Sequence, residues 1–98
     1  MKILALIDVV AGAPIEKIRA ELASEVRASW DLFAAGALRE AYATAAPSRV
    51  VFVFEAADPE EAAGRLDDMP LIKAGHLKYE LIELRPFTNW SLLFATKD

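Results

Sequence analysis

Residues 49–62 read Arg49-Val50-Val51-Phe52-Val53-Phe54-Glu55-Ala56-Ala57-Asp58-Pro59-Glu60-Glu61-Ala62, and this stretch decides the fold. Arg49 to Ala56 is the strongest strand in the chain. Val50, Phe52 and Phe54 fill one of its faces, and Val51 and Val53 the other. A short apolar run with both parities filled belongs in the middle of a sheet. Asp58-Pro59-Glu60-Glu61 then starts a helix. Asp58 caps it, Pro59 takes the first helical position, and Glu61 stands three residues after the cap, as in a capping box. The helix turns Ala62, Leu66 and Met69 inward and stops at Pro70, leaving residues 71–75 as a link to the next strand.

Upstream, Lys2 to Val10 is a second run of β-formers with both parities apolar: Leu4, Leu6 and Val10 against Ile3, Ile7 and Val9. Pro14 opens a long helix in which Ile15, Ile18, Leu22, Val26, Trp30 and Phe33 recur at three- and four-residue spacing. Glu16, Lys17, Glu21, Glu25, Arg27 and Asp31 fall mostly off that stripe, and Gly36 ends the helix. Leu38 to Thr44 is a weaker strand, and His76 to Leu84 the last one. Both mix in polar residues, Arg39, Glu40 and Thr44 in the first and His76, Lys78, Glu80 and Glu83 in the second. The order β-α-β-β-α-β is that of a ferredoxin-like α+β fold, a four-stranded antiparallel sheet with two helices on one face. In it the first and third strands are central and the other two are edges, as the patterns require. The helices cover only one face. The other stays apolar, and more than roughly a few hundred Å2 of such surface is not tolerated on a lone protein. A second subunit packed sheet to sheet would close the structure as a dimeric α+β barrel.

A chain of 98 residues makes one domain, with a core at 1–85 and a C-terminal arm at 86–98. The arm carries Phe87, Trp90, Leu92, Leu93 and Phe94 after the strand break at Pro86, with no place left in the four-stranded unit. Either it is exchanged onto the partner subunit or it folds back over its own helices; exchange is the expectation, since the opposed sheets already bring two copies together. A net charge of −4 argues against nucleic acid or a membrane surface as partner. No run approaches the roughly 20 apolar residues of a membrane span. No cysteine is present, which excludes disulfides, thiolate metal sites and a Cys nucleophile, and the single histidine argues against a multi-His zinc site within one chain. The apolar start is interrupted by Asp8 and reads as a strand rather than a leader, which places the protein in the cytoplasm. Its four glycines are dispersed and form no phosphate loop.

The segment 49–62, with Leu66-Asp67-Asp68-Met69-Pro70-Leu71, then Tyr79-Glu80-Leu81-Ile82-Glu83-Leu84-Arg85-Pro86, resembles the muconolactone isomerase-like family of the dimeric α+β barrels. The likeness covers about the C-terminal half, and Asp8-Val9 at the end of the first strand also matches. It implies an isomerase that moves a proton within a small lactone acid without a cofactor, and that assembles as a dimer or larger ring. Where the family's first strand carries a His and an Arg, this chain has Leu4 and Leu6; a Trp-Arg pair on the second strand appears as Tyr42-Ala43.

Asp8 and His76 are the acid/base candidates. Asp8 interrupts a central apolar strand, where a carboxylate needs a partner, a raised pKa or a wet pocket. Alternatively it ends the strand and faces the turn at Gly12. His76 has the one side chain that ordinarily titrates near neutrality, and equally reads as a solvated turn residue. Arg49, Tyr42 and Arg85 are candidates to orient a substrate, and Trp30 and Phe33 to wall its pocket. The plainer readings are strand-end solvation or cross-dimer ion pairs for Arg49 and Glu55, an interface tyrosine, and core packing for the two aromatics. Two functions follow. One is a cofactor-independent isomerase or cyclase acting on a small lactone, organic acid or polyketide-like ring, with a cofactor-free oxygenase as a variant on the same barrel. The other is a non-catalytic ligand-binding or scaffold protein, favoured by the apolar residues at positions 4 and 6. In either case the partners are a second copy of the chain and a small organic ligand.

Overall fold

Alternation of burial along β1 (Lys2–Val9) sets the layering: Ile3, Ala5 and Ile7 are buried, while Leu4, Leu6 and Asp8 are half-buried. The structure, a computed structural model, describes residues 1–95. β3 (Val50–Glu55) pairs antiparallel with β1, placing Phe54 opposite Ile3 and Phe52 opposite Ala5. β2 (Leu38–Ala43) and β4 (Leu77–Leu84) add antiparallel edges, so the sheet runs β2-β3-β1-β4. The two strands with both parities apolar are therefore central, and the fold is ferredoxin-like α+β. A bulge interrupts the β2–β3 ladder between Leu38 and Glu40, whereas β4 pairs with β1 without a break from Lys2–Leu84 to Val9–Leu77.

The helices α1 (Ile15–Ala34), α2 (Pro59–Asp67) and α3 (Pro70–Lys73) pack on one face. The core there joins Ile3, Ala5, Ile7, Phe52 and Phe54 to Leu38, Ala62, Leu66 and Met69. Asp58 caps α2 as its sequence requires, accepting from the Glu61 N–H at 2.8 Å. At the end of α1, Gly36 takes a φ of +84° that favours glycine. Its N–H donates to the Phe33 carbonyl and that of Ala37 to Leu32, both at 3.0 Å, which closes the helix as a Schellman motif.

Two expectations change. Residues 71–75 are not a plain link: Pro70 opens the one-turn helix α3 rather than only closing α2, because a proline at the first helical position loses no hydrogen bond. The phase of α1 also differs from the apolar stripe. Ile15, Leu22, Val26, Trp30 and Phe33 are about half exposed, and Glu25, Ala28 and Leu32 turn toward the sheet instead. Apolar residues occupy too much of this helix's circumference for their spacing alone to set its rotation.

The opposite sheet face has no helix over it. Leu4 and Leu6 lie beside Val53 and Val51 in register, and on β4 Ile82 stands opposite Leu4, Glu80 opposite Leu6 and Leu84 opposite Lys2. After β4 the chain forms a 3-10 helix, Thr88–Phe94, with no buried residue. Leu92, Leu93 and Phe94 are 74–80% exposed, so the arm does not fold back over its own helices. Its last three residues, 96–98, lie outside the described residues.

Candidate functional site

Between α1 and the sheet the packing leaves a half-open cavity of about 330 Å3, with the half-exposed Val9, Leu22 and Val26 at its mouth. The helix-facing parity of the sheet supplies its floor with Ile7 and Val9 from β1, Val50 and Phe52 from β3, and Leu77 from β4. Ile18, Leu22 and Val26 of α1 form one wall, and Met69 and Leu71 at the start of α3 close another. Only Glu25 and Ser29, one helical turn apart, bring polar side chains to this lining.

Glu25 is the buried charged residue of the described chain, 7% exposed. Its Oε1 accepts from the Leu71 N–H at 2.7 Å, holding the first turn of α3 against α1. Burial pushes its carboxyl above the ordinary glutamate value, against the lowering effect of that hydrogen bond. Oε2 makes no protein hydrogen bond, yet no buried side-chain oxygen among the described residues lacks a partner. The second oxygen therefore keeps some exposure, and Glu25 is among the residues that line the cavity. Ser29 donates its own hydroxyl proton back to the Val26 carbonyl at 2.6 Å, so its lone pairs remain to accept.

The residues singled out from the sequence lie elsewhere. Asp8 shares the parity of Leu4 and Leu6 and stands on the uncovered face of the sheet. There Arg49 grips it bidentately, Nε to Oδ1 at 2.8 Å and one terminal nitrogen to Oδ2 at 2.9 Å. The guanidinium hydrogen bonds hold the Asp8 carboxyl below the usual aspartate value, and Asp8 raises Arg49 in turn. The partner that a carboxylate at this position needs is thus within the chain. Glu55, at the other end of β3, takes the N-terminal ammonium of Met1. Tyr42, also on the uncovered face, donates to Glu40 at 2.6 Å, which raises its hydroxyl pKa.

His76 precedes β4 and borders a shallow groove with Lys17, Glu21 and Lys73, outside the Glu25 cavity. Its backbone is pinned, N–H to the Leu71 carbonyl at 3.0 Å and carbonyl to the Val10 N–H at 2.9 Å. Trp30 and Phe33 stack at 5.4 Å beside a second shallow groove lined by Val26, Ser29, Leu38 and Ala41, on the surface rather than in the core. Arg85 lies at the far end of β4, 3.1 Å from Glu83. The structure therefore joins Asp8 with Arg49, and brings neither of them to His76 nor into the cavity. Tyr79 makes a further polar tie across the helix–sheet layer: its hydroxyl donates to Asp67 at 2.7 Å, and burial with that bond pushes its pKa up to about 12.

Reading the sequence by apolar residues alone missed Glu25. The signal was present: it lies three residues after Leu22 and four before Ser29, on the same helical face. No group of three or more His, Asp or Glu side chains among the described residues is close enough to hold a metal ion. No described helix is long and apolar enough to cross a membrane.

No family model matches the chain, and no curated protein matches it. Among solved structures, it is similar to 5-chloro-2-hydroxyhydroquinone dehydrochlorinase from Burkholderia phenoliruptrix AC1100, solved in complex with 2,5-dihydroxybenzoquinone. The TM-score is 0.71 over 91% of this chain and 98% of that one, at 14% identity. At that identity the likeness establishes the shared fold.

Proposed function

We propose that the protein is a cofactor-independent enzyme that moves a proton within a small organic molecule held between α1 and the sheet, as an isomerase or cyclase. The observation that carries this reading is Glu25, a carboxyl with a raised pKa and one free oxygen at an apolar cavity. A carboxylate short of water is a stronger base than one in solution. In its acid form Glu25 gives the Oε2 proton to the carbonyl oxygen of the bound molecule, and the carboxylate so formed takes a proton from the carbon beside that carbonyl, which leaves the enol and restores the acid. No electron is gained or lost. The apolar walls lower the polarity around Glu25 and strengthen the one polar contact at the reacting centre. The dehydrochlorinase with the same fold acts on a small hydroxylated ring, which supports a small-molecule substrate of this general kind.

In this reading Asp8 and Arg49 brace the end of the sheet and take no proton from the substrate, and His76 borders the site from outside. The molecule works as a homodimer. Support comes from the apolar uncovered face around Leu4, Leu6, Val51 and Val53, and from an arm whose aromatic and leucine side chains have no cover of their own.

Turnover of a panel of cyclic ketones and lactones by wild type and Glu25→Gln tests the proposal. Gln keeps the bond to Leu71 and cannot exchange a proton, so activity on any accepted substrate should fall at least about 100-fold. Full activity in that variant would remove Glu25 from the mechanism. A second reading, a ligand-binding protein without turnover, is favoured by the structural duty of Glu25 toward Leu71. It predicts ligands that bind and leave unchanged.

A further inference from the structure

We infer that the cavity selects an uncharged, ring-sized ligand bearing one oxygen acceptor, which meets Glu25, and that it excludes carboxylates. This deepens the reading above and rests on it for the location of the site. The resemblance of the sequence pointed toward lactone acids; the lining residues point away from the acid.

A bound carboxylate needs a cation or several N–H donors in place of its water. Among the described residues, no Lys, Arg or His lines this cavity. The cations closest in role are committed elsewhere: Arg49 lies on the other side of the sheet with Asp8, while Lys17 and Lys73 border the outer groove with His76. The Leu71 N–H, a backbone donor at the cavity wall, is already taken by Glu25 Oε1. An anion placed here would face apolar walls and another carboxyl group. A neutral ring meets the opposite situation. Side chains of Ile7, Leu22, Val26, Phe52 and Leu77 supply its van der Waals contacts. Its single oxygen accepts the proton that Glu25 carries on Oε2. The volume of about 330 Å3 sits at the low end of small-molecule sites, which run from about 300 to 1,000 Å3, and fits one or two rings.

Three probes of nearly equal shape test this by amide NMR titration of the full chain: acetophenone, ethylbenzene and benzoate. Acetophenone should shift the amides of Ser29, Leu71 and Leu77 and bind at least about tenfold tighter than benzoate. It should bind about three- to tenfold tighter than ethylbenzene, which lacks the acceptor, as one hydrogen bond of about 0.5–1.5 kcal/mol allows. Glu25→Gln retains a donor and should keep that preference; Glu25→Leu should abolish it while still taking ethylbenzene. Should Glu25→Leu fail to fold, the three-probe order on wild type and Glu25→Gln decides alone. Benzoate binding at Leu71 as tightly as acetophenone, or acetophenone shifting only residues outside the cavity, overturns the inference. These readouts involve no turnover: a protein that binds in the predicted order and converts nothing refutes the enzyme and keeps the ligand class.

Discussion

Replacing Glu25 by Gln and by Leu separates the duties of its two oxygens. In Gln the Leu71 N–H keeps an acceptor; in Leu it is left unpaired in a buried place, at a cost of about 1–3 kcal/mol. Urea unfolding at pH 7 should show that loss in Glu25→Leu and not in Glu25→Gln. The pH profile follows from the raised carboxyl pKa. As pH climbs past the ordinary glutamate value, about 4.3, the unfolded chain gives up this proton before the folded one does. Stability therefore declines upward through that window until the folded carboxyl also ionises, and Glu25→Gln should erase this part of the decline. Asp8 has the opposite sign. Its pKa is lowered by Arg49, so its contribution is complete above about pH 3.9 and is lost as pH falls through the lowered value. Asp8→Asn should be less stable than wild type at pH 7 and lose less on acidification to pH 2, measured by circular dichroism. The parity of Asp8 with Leu4 and Leu6 was legible in the sequence, and places it on the uncovered face. Glu25 was not legible by apolar periodicity, because a buried acid occupies a core position without matching the pattern that marks one.

Among the elements, the strands were the most readable. Both parities of β1 and β3 are apolar, and this alone orders the sheet with those two inside. The start of α2 was equally plain, since Asp58, Pro59 and Glu61 leave little else for that backbone to do. Asp58→Ala should cost about 1 kcal/mol, within the 0.5–2 kcal/mol seen for such caps, as a lowered urea midpoint with an unchanged slope. The rotation of α1 resisted reading because apolar side chains extend from Ile15 and Trp30 on its outer side to Ala28 and Leu32 on its inner one. α3 resisted for a different reason. Proline ends one helix and begins another with equal ease, and the acceptor that fixes its first turn comes from Glu25, far away along the chain.

For the whole molecule, a radius of gyration of 16.8 Å exceeds the about 13 Å of a compact chain this long, and the long dimension reaches 66 Å against 30 and 20 Å. In the proposed homodimer one partner copy would cover both the arm and the sheet face that lacks a second layer. Leu4→Glu places a charge in the centre of that face and should shift the protein from dimer to monomer in sedimentation velocity at micromolar concentration, with helix content retained. A wild-type protein that sediments as a single copy there would leave the face and the arm without their proposed cover. The two rims of the sheet differ as well, since one carries a bulge and the other runs smooth for eight residues. A smooth rim meeting its own copy closes on a two-fold axis and then has nothing further to offer. Endless stacking, the route to fibrils, would need the smooth rim to find a smooth unlike one, and the kinked rim denies it that mate.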